Sequence, residues 1–419
     1  MREDHRKAPL QGIRILDFTQ FFSGQTCTLM LSDFGAEVIK LERPPLGDPT
    51  RYGAVTVHEG SSFFATRNRG KKSVVIDMKD ERQKNLFLRL VKTADAVVEN
   101  FRPGTMKKWG ITYELLERIN PRIVYTSLSG YGQDGPYSQR SAHGPAIQAE
   151  SGVMSVTAYS GGPPIRCGAS IAGYTSGLMA CIGTLMGLVD AQRTGHGRYV
   201  DVSMLDTLLL LQDNQLSEYV ITRKLPQPNG NRYPPTVLLG DFTCKDGVAL
   251  MLEVITDEQF KCFADVMEQQ RWLRMPEFSS MTARRSNFEK LTEAVQCAFS
   301  NVTSDDVMKK LAAAHLPYGR INDYEAVINH PQVTFRHCFV DAVYPNGTTF
   351  TVPGNPLRMS GTNPKKAYPV MPLGMNTMEV FSEVEKPDVV NQLMKPVLEK
   401  AAKQAALIYE KDGVLKERK

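Results

Sequence analysis

The first half of the chain alternates short apolar runs with segments in which apolar residues recur every three or four positions. The first pattern is typical of buried parallel strands, and the second of the helices that cover them. The alternation therefore predicts an α/β fold with a doubly wound, Rossmann-like parallel sheet. The predicted strands are 13–18, 37–42, 73–78, 95–101 and 122–130, and the predicted helices are 27–36, 81–94 and about 174–192.

A second pattern begins at residue 224, where "KLPQPNGNRYPP" is rich in Pro, Gly and Asn, as in a linker. Beyond it, 240–254 is typical of two strands joined at "KDG", and a charged helical region runs to about 315. We therefore predict a large Rossmann-like domain formed by 1–223 and 325–419. The linker and a smaller α+β domain would occupy 224–324.

The loops after the predicted strands suggest a phosphorylated ligand but not a dinucleotide. No Gly-x-Gly-x-x-Gly follows the first strand, where the sequence is "TQFFSGQT". Two basic clusters, "RNRGKK" (67–72) and "RPGTMKK" (102–108), are expected near strand ends instead. Because ligands of such sheets bind at the carboxyl ends of strands, both clusters predict contact with a small polyanion.

Composition excludes several classes of function. The chain has 419 residues, 42% of them hydrophobic, and a net charge of +5 that is too dispersed for a nucleic-acid interface. The seven cysteines show no metal-ligand spacing, so no metal site is predicted and buried free thiols are expected. No signal peptide and no apolar run of about 20 residues is apparent, so we expect a cytoplasmic protein without membrane contact.

Six stretches occur in a characteristic order: "GIRILDFTQFFSGQTCTLMLSDFGAEVIKLERPPLGDPTR", "SVVIDMKDE", "ADAVVENFRPGTMKKWGI", "INPRIVYTSLSGYGQDGPY", "RTGHGRYVDVSMLD" and "NPLRMSGTNP". Together they resemble the class III CoA-transferases, which include formyl-CoA transferase, carnitine CoA-transferase and alpha-methylacyl-CoA racemase. The resemblance implies a Rossmann-like large domain, a smaller domain and an interlocked dimer with active sites at the subunit interface. Coenzyme A or acyl-CoA would be a substrate and not a permanently bound cofactor.

Four residues match positions at which the family contacts CoA. By this resemblance, Arg43 would lie along the nucleotide and Lys108 near the phosphates. Asn100 and Phe101 would line the adenine and ribose region. The phosphates of CoA favour such cationic side chains and backbone N–H donors.

The nucleophile of the family is missing. Its transferases attack the acyl-CoA thioester with an Asp that comes before an apolar helix, and in "GASIAGYTSG" (168–177) Gly173 occupies that position, at the centre of a predicted turn. A Gln that formyl-CoA transferase carries after the first strand is Phe22 here. An acidic residue usual near 144 is Gly144. Natural loss of the nucleophile explains all three departures, whereas an engineered change would explain only Gly173.

Two other residues are candidates for catalysis. His143 lies where the racemase branch of the family carries a proton-transferring His, although the opposing Asp of that chemistry is absent. Glu150 is a carboxylate close to this position in the sequence. A hydrogen-bonded loop His is the alternative interpretation of His143.

The leading hypothesis is a non-nucleophilic subunit of a heteromeric CoA-transferase. A related chain that bears the Asp would form a heterodimer or heterotetramer with it, as in benzylsuccinate CoA-transferase of aromatic degradation. CoA would then move from an acyl-CoA, with succinyl-CoA as the first candidate, to a carboxylate such as benzylsuccinate. Phe21, Phe22 and Trp109 could line an aromatic pocket. The alternatives are a homodimeric racemase-like or lyase-like enzyme that uses His143, and a CoA-binding protein without turnover.

Overall fold

The computed structural model describes residues 8–53, 55–57, 60–232, 238–362 and 365–411, with side chains described as far as residue 406. Part of the predicted linker (233–236) and the last two residues of the "NPLRMSGTNP" segment lie outside these ranges. The described residues form two compact units. The first contains the chain up to 153, 167–221 and the chain from 336 onward, and the second contains 154–166 and 222–335.

The first unit is built on a six-stranded parallel sheet. Its strands are β1 (Arg14–Asp17), β2 (Glu37–Glu42), β5 (Lys72–Val75), β6 (Ala96–Glu99), β7 (Val124–Ser129) and β8 (Tyr199–Ser203). They lie in the order β5-β2-β1-β6-β7-β8, and all five pairings are parallel. The chain starts in the middle, moves to one edge and returns to the other, so the strand order reverses between β1 and β6. Ligands of doubly wound sheets bind at such a reversal.

Helices cover both faces of this sheet. The helices of the first unit are α1 (Ser23–Asp33), α2 (Ser62–Asn68), α3 (Glu81–Val91), α4 (Thr105–Lys108), α5 (Tyr113–Ile119), α6 (Gly144–Glu150), α7 (Ile171–Thr194), α8 (Met204–Leu210), α9 (Asp213–Thr222), α16 (Thr377–Ser382) and α17 (Pro387–Lys411). Successive strand residues point to opposite faces, so Ile15 packs with α1 and α7 while Leu16 packs with α3, α5, α16 and α17. The α/β, Rossmann-like fold class is therefore confirmed.

A small mixed sheet completes the first unit. It contains β12 (Phe339–Val343), β13 (Thr349–Pro353) and β14 (Ala367–Pro369), and it packs against Phe64 and Ala65 of α2. A two-stranded ribbon of β3 (Thr56–Val57) and β4 (Gly60–Ser61) precedes α2.

The second unit is a smaller α+β body. Its three-stranded antiparallel sheet contains β9 (Leu238–Thr243), β10 (Ala249–Val254) and β11 (Tyr318–Arg320), with the predicted hairpin joining β9 to β10. Its helices are α10 (Asp257–Val266), α11 (Met281–Ser286), α12 (Phe288–Phe299), α13 (Ser304–Ala313), α14 (Tyr324–Ile328) and α15 (Pro331–Phe335). The core is centred on buried aromatic residues such as Trp272 and Phe263. The predicted domain boundaries, with the linker and the smaller domain at 224–324, stay a prediction.

One sequence-based expectation for α7 is wrong. Gly173 is not at the centre of a turn before the helix but lies in the first turn of α7, which starts at Ile171. In addition, α7 is long and apolar enough, by length and composition, to cross a membrane, although no apolar run of that length is apparent in the sequence. Half of its most apolar window is buried in the first unit, as expected for a core helix. The cytoplasmic location remains a prediction.

Close packing explains why α7 is rich in small residues. A Cβ on Gly177 would lie 2.3 Å from the backbone oxygen of Ser23, and one on Gly187 would lie 2.7 Å from a methyl group of Val124. Both contacts are too short for real atoms, so α7 can approach α1 and β7 this closely only with glycine at these places.

The cysteines are only partly as expected. All seven are free thiols, and Cys27, Cys181 and Cys244 are buried, but Cys297 and Cys338 are exposed.

A buried carboxyl lies at the end of β6, next to the reversal of strand order. Glu99 is 4% exposed, and its Oε2 accepts a hydrogen bond of 2.8 Å from the backbone N–H of Phe101. Burial disfavours the charged form and raises the pKa of Glu99 from 4.5 to about 7, against the opposing effect of its hydrogen bonds to Ser127 and Phe101. The protonation of Glu99 is therefore coupled to the turn that carries Asn100 and Phe101.

This coupling predicts a pH-dependent effect of Glu99→Gln. Between pH 4.5 and 7 the unfolded chain loses the proton of Glu99 before the folded chain does, so ionisation lowers the free energy of unfolding as pH rises. The variant cannot titrate at this place. Its free energy of unfolding relative to wild type should therefore increase across this window, by about 3 kcal/mol at most, and stay constant above pH 7. Denaturant titrations between pH 4 and 8 measure the difference.

Glu399→Gln, at an exposed position on α17, is the matched control. A flat profile for Glu99→Gln would show that the carboxyl of Glu99 does not titrate in this window.

Candidate active site

The loops after β1 and β6 meet at the reversal of strand order. The Asn100 side chain accepts a hydrogen bond of 2.7 Å from the backbone N–H of Gln20 and donates one of 2.8 Å to its carbonyl oxygen. Asn100 therefore joins the two loops, a positioning role that is not apparent from the sequence.

A cavity of about 260 Å³ opens beside these loops. Its lining includes Arg43 after β2, Phe101 after β6 and Lys79 after β5. Arg43 and Lys79 are exposed, and within the described part of the chain neither charged group forms an ion pair. Asp77 also lines the cavity, and its Oδ1 accepts a hydrogen bond of 3.0 Å from the backbone N–H of Lys79. Phe18 and Trp109 form an apolar wall, in which Trp109 packs edge-on against Phe101 at 5.3 Å between ring centroids. Open cationic side chains above an aromatic wall suit a nucleotide with phosphate groups.

The four predicted CoA-binding residues differ in their position relative to this cavity. Arg43 and Phe101 line the cavity, and Asn100 holds the loop that contributes Gln20 to it. Lys108 is exposed at the end of α4, near Thr105, which also lines the cavity. Their contact with CoA stays a prediction. Lys79 was missed, although it follows a predicted strand just as Arg43 does.

A larger cavity of about 530 Å³ lies between the 344–346 turn, the 372–375 segment and α17. Arg51 is the one basic side chain among the described lining residues. It donates two hydrogen bonds to Glu42, from Nε to Oε2 at 2.8 Å and from Nη2 to Oε1 at 2.7 Å. Because this charge is already compensated, the cavity has no evident chemistry.

The basic cluster 67–72 does not form the open polyanion site that its sequence predicts. Arg69 pairs with Asp33 at 2.9 Å and Lys71 with Asp17 at 3.0 Å, both inside the fold. Lys72 pairs with Glu37 and Glu379, each at 2.7 Å. These three charges are compensated by acidic residues of the same unit. Arg67, the fourth cation of the cluster, has no such ion pair among the described residues.

Gly173 is buried against Phe22, the residue that precedes α1. A Cβ at position 173 would lie 3.2 Å from the Cβ of Phe22, which is tighter than an ordinary contact. Gly173 therefore lies beside one of the two other departures noted in the sequence. The third, Gly144, begins α6 and would place a Cβ 3.7 Å from the Cβ of Ala172. The structure thus brings all three positions into one region.

An aromatic cluster surrounds Arg67 in the same region. The guanidinium carbon lies 4.1 Å from the ring centroid of Phe22, 4.5 Å from that of Phe63 and 5.8 Å from that of Tyr174. Nη2 donates to the Tyr174 hydroxyl at 3.0 Å and Nη1 to the Phe63 carbonyl oxygen at 3.2 Å. Desolvation by burial lowers the pKa of Arg67 from its ordinary value. We call Arg67, Phe22, Phe63 and Tyr174 the Arg67 cluster.

The two alternative catalytic candidates differ in their surroundings. His143 is exposed just before α6, and its ring lies 6.5 Å edge-on from that of Phe21, next to Phe22. Glu150, at the other end of α6, pairs with Arg140 at 2.8 Å. His143 is therefore near the region of Gly173, whereas the carboxylate of Glu150 is engaged by a cation. A catalytic role for either stays a prediction.

No group of three or more His, Cys, Asp and Glu side chains within the described ranges is arranged to hold a metal ion. The site therefore consists of a cationic and aromatic cavity at the strand reversal, and an adjacent region in which Gly173 and the Arg67 cluster meet.

Comparisons with known proteins agree with this architecture. Residues 10–377 match the family described as CoA-transferase family III. The chain is 34% identical over 367 residues to acetyl-CoA:oxalate CoA-transferase of Acetobacter aceti, covering 87% of this chain and 93% of that one. It is 31% identical over 380 residues to the succinyl-CoA–L-malate CoA-transferase alpha subunit of Chloroflexus aurantiacus, covering 90% of this chain and 89% of the other.

A solved structure of a CAIB/BAIF family protein from Brucella suis superposes with a TM-score of 0.80 at 29% identity, covering 91% of this chain and all of that one. The family match spans both units, and the related enzymes transfer CoA between an acyl-CoA and a carboxylate. This chain belongs to CoA-transferase family III.

Proposed function

We propose that this chain is the subunit without the nucleophile in a heteromeric CoA-transferase. The observation that carries the proposal is Gly173, buried under Phe22 at the place where the resemblance implies a catalytic Asp. A related subunit would supply the Asp, and this chain would contribute its own surface to the interface pocket. That one relative is named as the alpha subunit of a malate CoA-transferase supports a heteromeric assembly.

An exposed apolar surface offers room for such a partner. On α7, Tyr174, Leu178, Ile182, Met186 and Val189 follow each other at three- or four-residue spacing and are 41–67% exposed. Residues at this spacing lie along one face of a helix. Leu210 and Ile221 on α8 and α9 are 62% and 80% exposed. Contiguous apolar surface of this kind marks a protein interface, in keeping with the interlocked dimer that the resemblance implies.

For the reaction, we propose that CoA moves from an acyl-CoA, with succinyl-CoA as the first donor to test, to a carboxylate. The name of the malate relative includes succinyl-CoA, which supports this donor. The rings of Phe21, Phe22 and Tyr174 near Gly173 favour an aromatic acceptor such as benzylsuccinate. In this view the cavity with Arg43 and Phe101 holds the nucleotide part of CoA.

The second candidate is a homodimeric racemase-like or lyase-like enzyme. The exposed ring of His143 near Phe21 favours it, because a proton-transferring group would then face the same region as Gly173.

Native mass spectrometry of the complex isolated from its source distinguishes the two candidates. We expect a complex with a related chain that carries Asp in the turn matching 168–177. A pure homodimer would contradict the heteromeric proposal, and acyl-CoA turnover that disappears in His143→Ala would then support the second candidate. A homodimer that binds CoA without turnover would indicate a binding protein.

The crowding at Gly173 predicts that one substitution does not restore a nucleophile. In Gly173→Asp the new Cβ would lie 3.2 Å from the Cβ of Phe22, so we expect little transferase activity from this variant alone. The double variant Phe22→Gln/Gly173→Asp leaves the Cβ of residue 22 in place but adds the amide that formyl-CoA transferase carries there, and it should exceed the single variant by about tenfold, the effect of about 1.4 kcal/mol on the barrier. Initial rates of CoA exchange on the purified single chain measure both.

Phe22→Gln alone is the control and should be inactive, since no carboxylate is added. Full activity from Gly173→Asp alone would instead point to a glycine introduced into an otherwise intact active site.

The nucleotide cavity predicts a specific loss in Arg43→Ala. Removing a hydrogen bond to a charged phosphate costs about 1.5–3 kcal/mol, so the affinity for CoA should fall about 10- to 100-fold. Lys92→Ala is the matched control. Lys92 is an exposed cation that precedes β6, so it lies toward the amino-terminal ends of the strands and not toward the carboxyl ends where the cavity opens. Calorimetric titration with CoA measures both variants. Equal affinities for Arg43→Ala and wild type would place the nucleotide elsewhere.

A further inference from the structure

Arg67 is an exception among the buried cations of the first unit. Four other buried cationic side chains each have a carboxylate within 3.0 Å: Lys40 with Asp48, Arg51 with Glu42, Arg69 with Asp33 and Lys71 with Asp17. Arg67 is also buried, at 6% exposed, yet in the described ranges no carboxylate lies within 4 Å of it. A buried charge without an opposite charge is costly and is normally paired.

The hydrogen bonds of Arg67 leave part of its guanidinium free. A guanidinium presents five N–H donors, and the partners here are two neutral oxygens, one from Phe63 and one from Tyr174. Its Nε is buried and has no hydrogen-bond partner among the described residues. Nε and one Nη together form the edge with which Arg binds a carboxylate through two parallel hydrogen bonds.

The position of this edge ties it to the proposed pocket. Phe22 stacks on the guanidinium and also packs over Gly173, and Tyr174 directly follows Gly173 in α7. Tyr174 is 41% exposed, so its ring forms the solvent side of the Arg67 cluster. Access of a ligand to the guanidinium would therefore require this side chain to rotate.

We propose that the Arg67 cluster is a binding site for a carboxylate group of the substrate acid, with Arg67 as its bidentate partner. The inference rests on the proposed transferase function, because it assigns the acid to the region beside Gly173. The acid would lie on the rings of Phe22, Phe63 and Tyr174, and its carboxylate would supply the negative charge that Arg67 lacks.

The chemistry of the cluster favours a carboxylate over a phosphate. A phosphate group of CoA carries up to two negative charges and is usually bound by several donors. Here a single guanidinium lies among three aromatic rings, which matches one negative charge on an apolar carbon chain. The open cations Arg43 and Lys79 lie at the separate cavity, where they suit the phosphates.

Calorimetric titration of the isolated assembly with succinate and with benzylsuccinate tests this site. We expect Arg67→Met to weaken binding of both acids by about 10- to 100-fold, the range for losing a hydrogen bond to a charged group. Its thermal midpoint should be equal to or above that of wild type, since an apolar side chain replaces an unpaired buried charge. Arg118→Met is the control, because Arg118 is an exposed arginine on α5, outside both basic clusters.

Arg67→Lys provides a second variant that keeps the charge. We expect it to lose about tenfold in acid affinity, because an ammonium group cannot form two parallel hydrogen bonds. Three results would overturn the proposal: wild type that binds neither acid, variants at Arg67 that bind like wild type, or inorganic phosphate that competes as well as succinate does. A marked fall in the thermal midpoint of Arg67→Met with unchanged binding in Arg67→Lys would show a structural role only.

These outcomes separate the two proposals. An active heteromeric complex whose acid affinity ignores Arg67 would overturn only the binding site. A homodimer that still binds acids through Arg67 would overturn only the heteromeric function.

Discussion

The first unit depends on the buried pairing of charges beneath its strand ends. Asp17, at the end of β1, accepts hydrogen bonds from Lys71, Thr28 and Thr19 at 3.0, 2.8 and 2.6 Å. Burial would raise the pKa of Asp17, but the positive charges of Lys71 and Lys40 hold that pKa below its ordinary value. Desolvation lowers the pKa of Lys71 to about 8 even beside Asp17. Removing one member of such a pair leaves an uncompensated buried charge, so the pairing constrains the loops around it.

These buried ion pairs do not line the candidate site, but they fix the loop after β1 that borders it. Lys40 donates to the Thr19 carbonyl oxygen at 2.8 Å and pairs with Asp48, which holds the start of the β1 loop and the segment after β2. Asn100 holds the same loop from the other side of the strand reversal. The loop therefore has little freedom, and Phe22 at its end is kept over Gly173.

The region of Gly173 contains a positive charge, Arg67, where the family resemblance implies the negative charge of an Asp. The first turn of α7 has no carboxylate at position 173. Arg67, which has no carboxylate partner among the described residues, stacks on the ring of Phe22, the residue whose Cβ faces Gly173. Both features are consistent with a pocket that receives its negative charge from outside this chain. The exposed face of α7 begins at Tyr174 in the same place, so one surface borders both the proposed partner and the proposed ligand.

The sequence by itself determined the fold class, the family and the absence of a carboxylate at Gly173, because strand periodicity, motif order and residue identity are local properties. Through the family resemblance it also indicated Arg43 and Phe101, which line the cavity at the strand reversal. It could not distinguish Arg67 from Arg69 and Lys71, which share one basic cluster. Only the tertiary structure decided that difference, since Asp33 and Asp17 come from distant parts of the chain and pair with two of these cations, while aromatic rings surround the third.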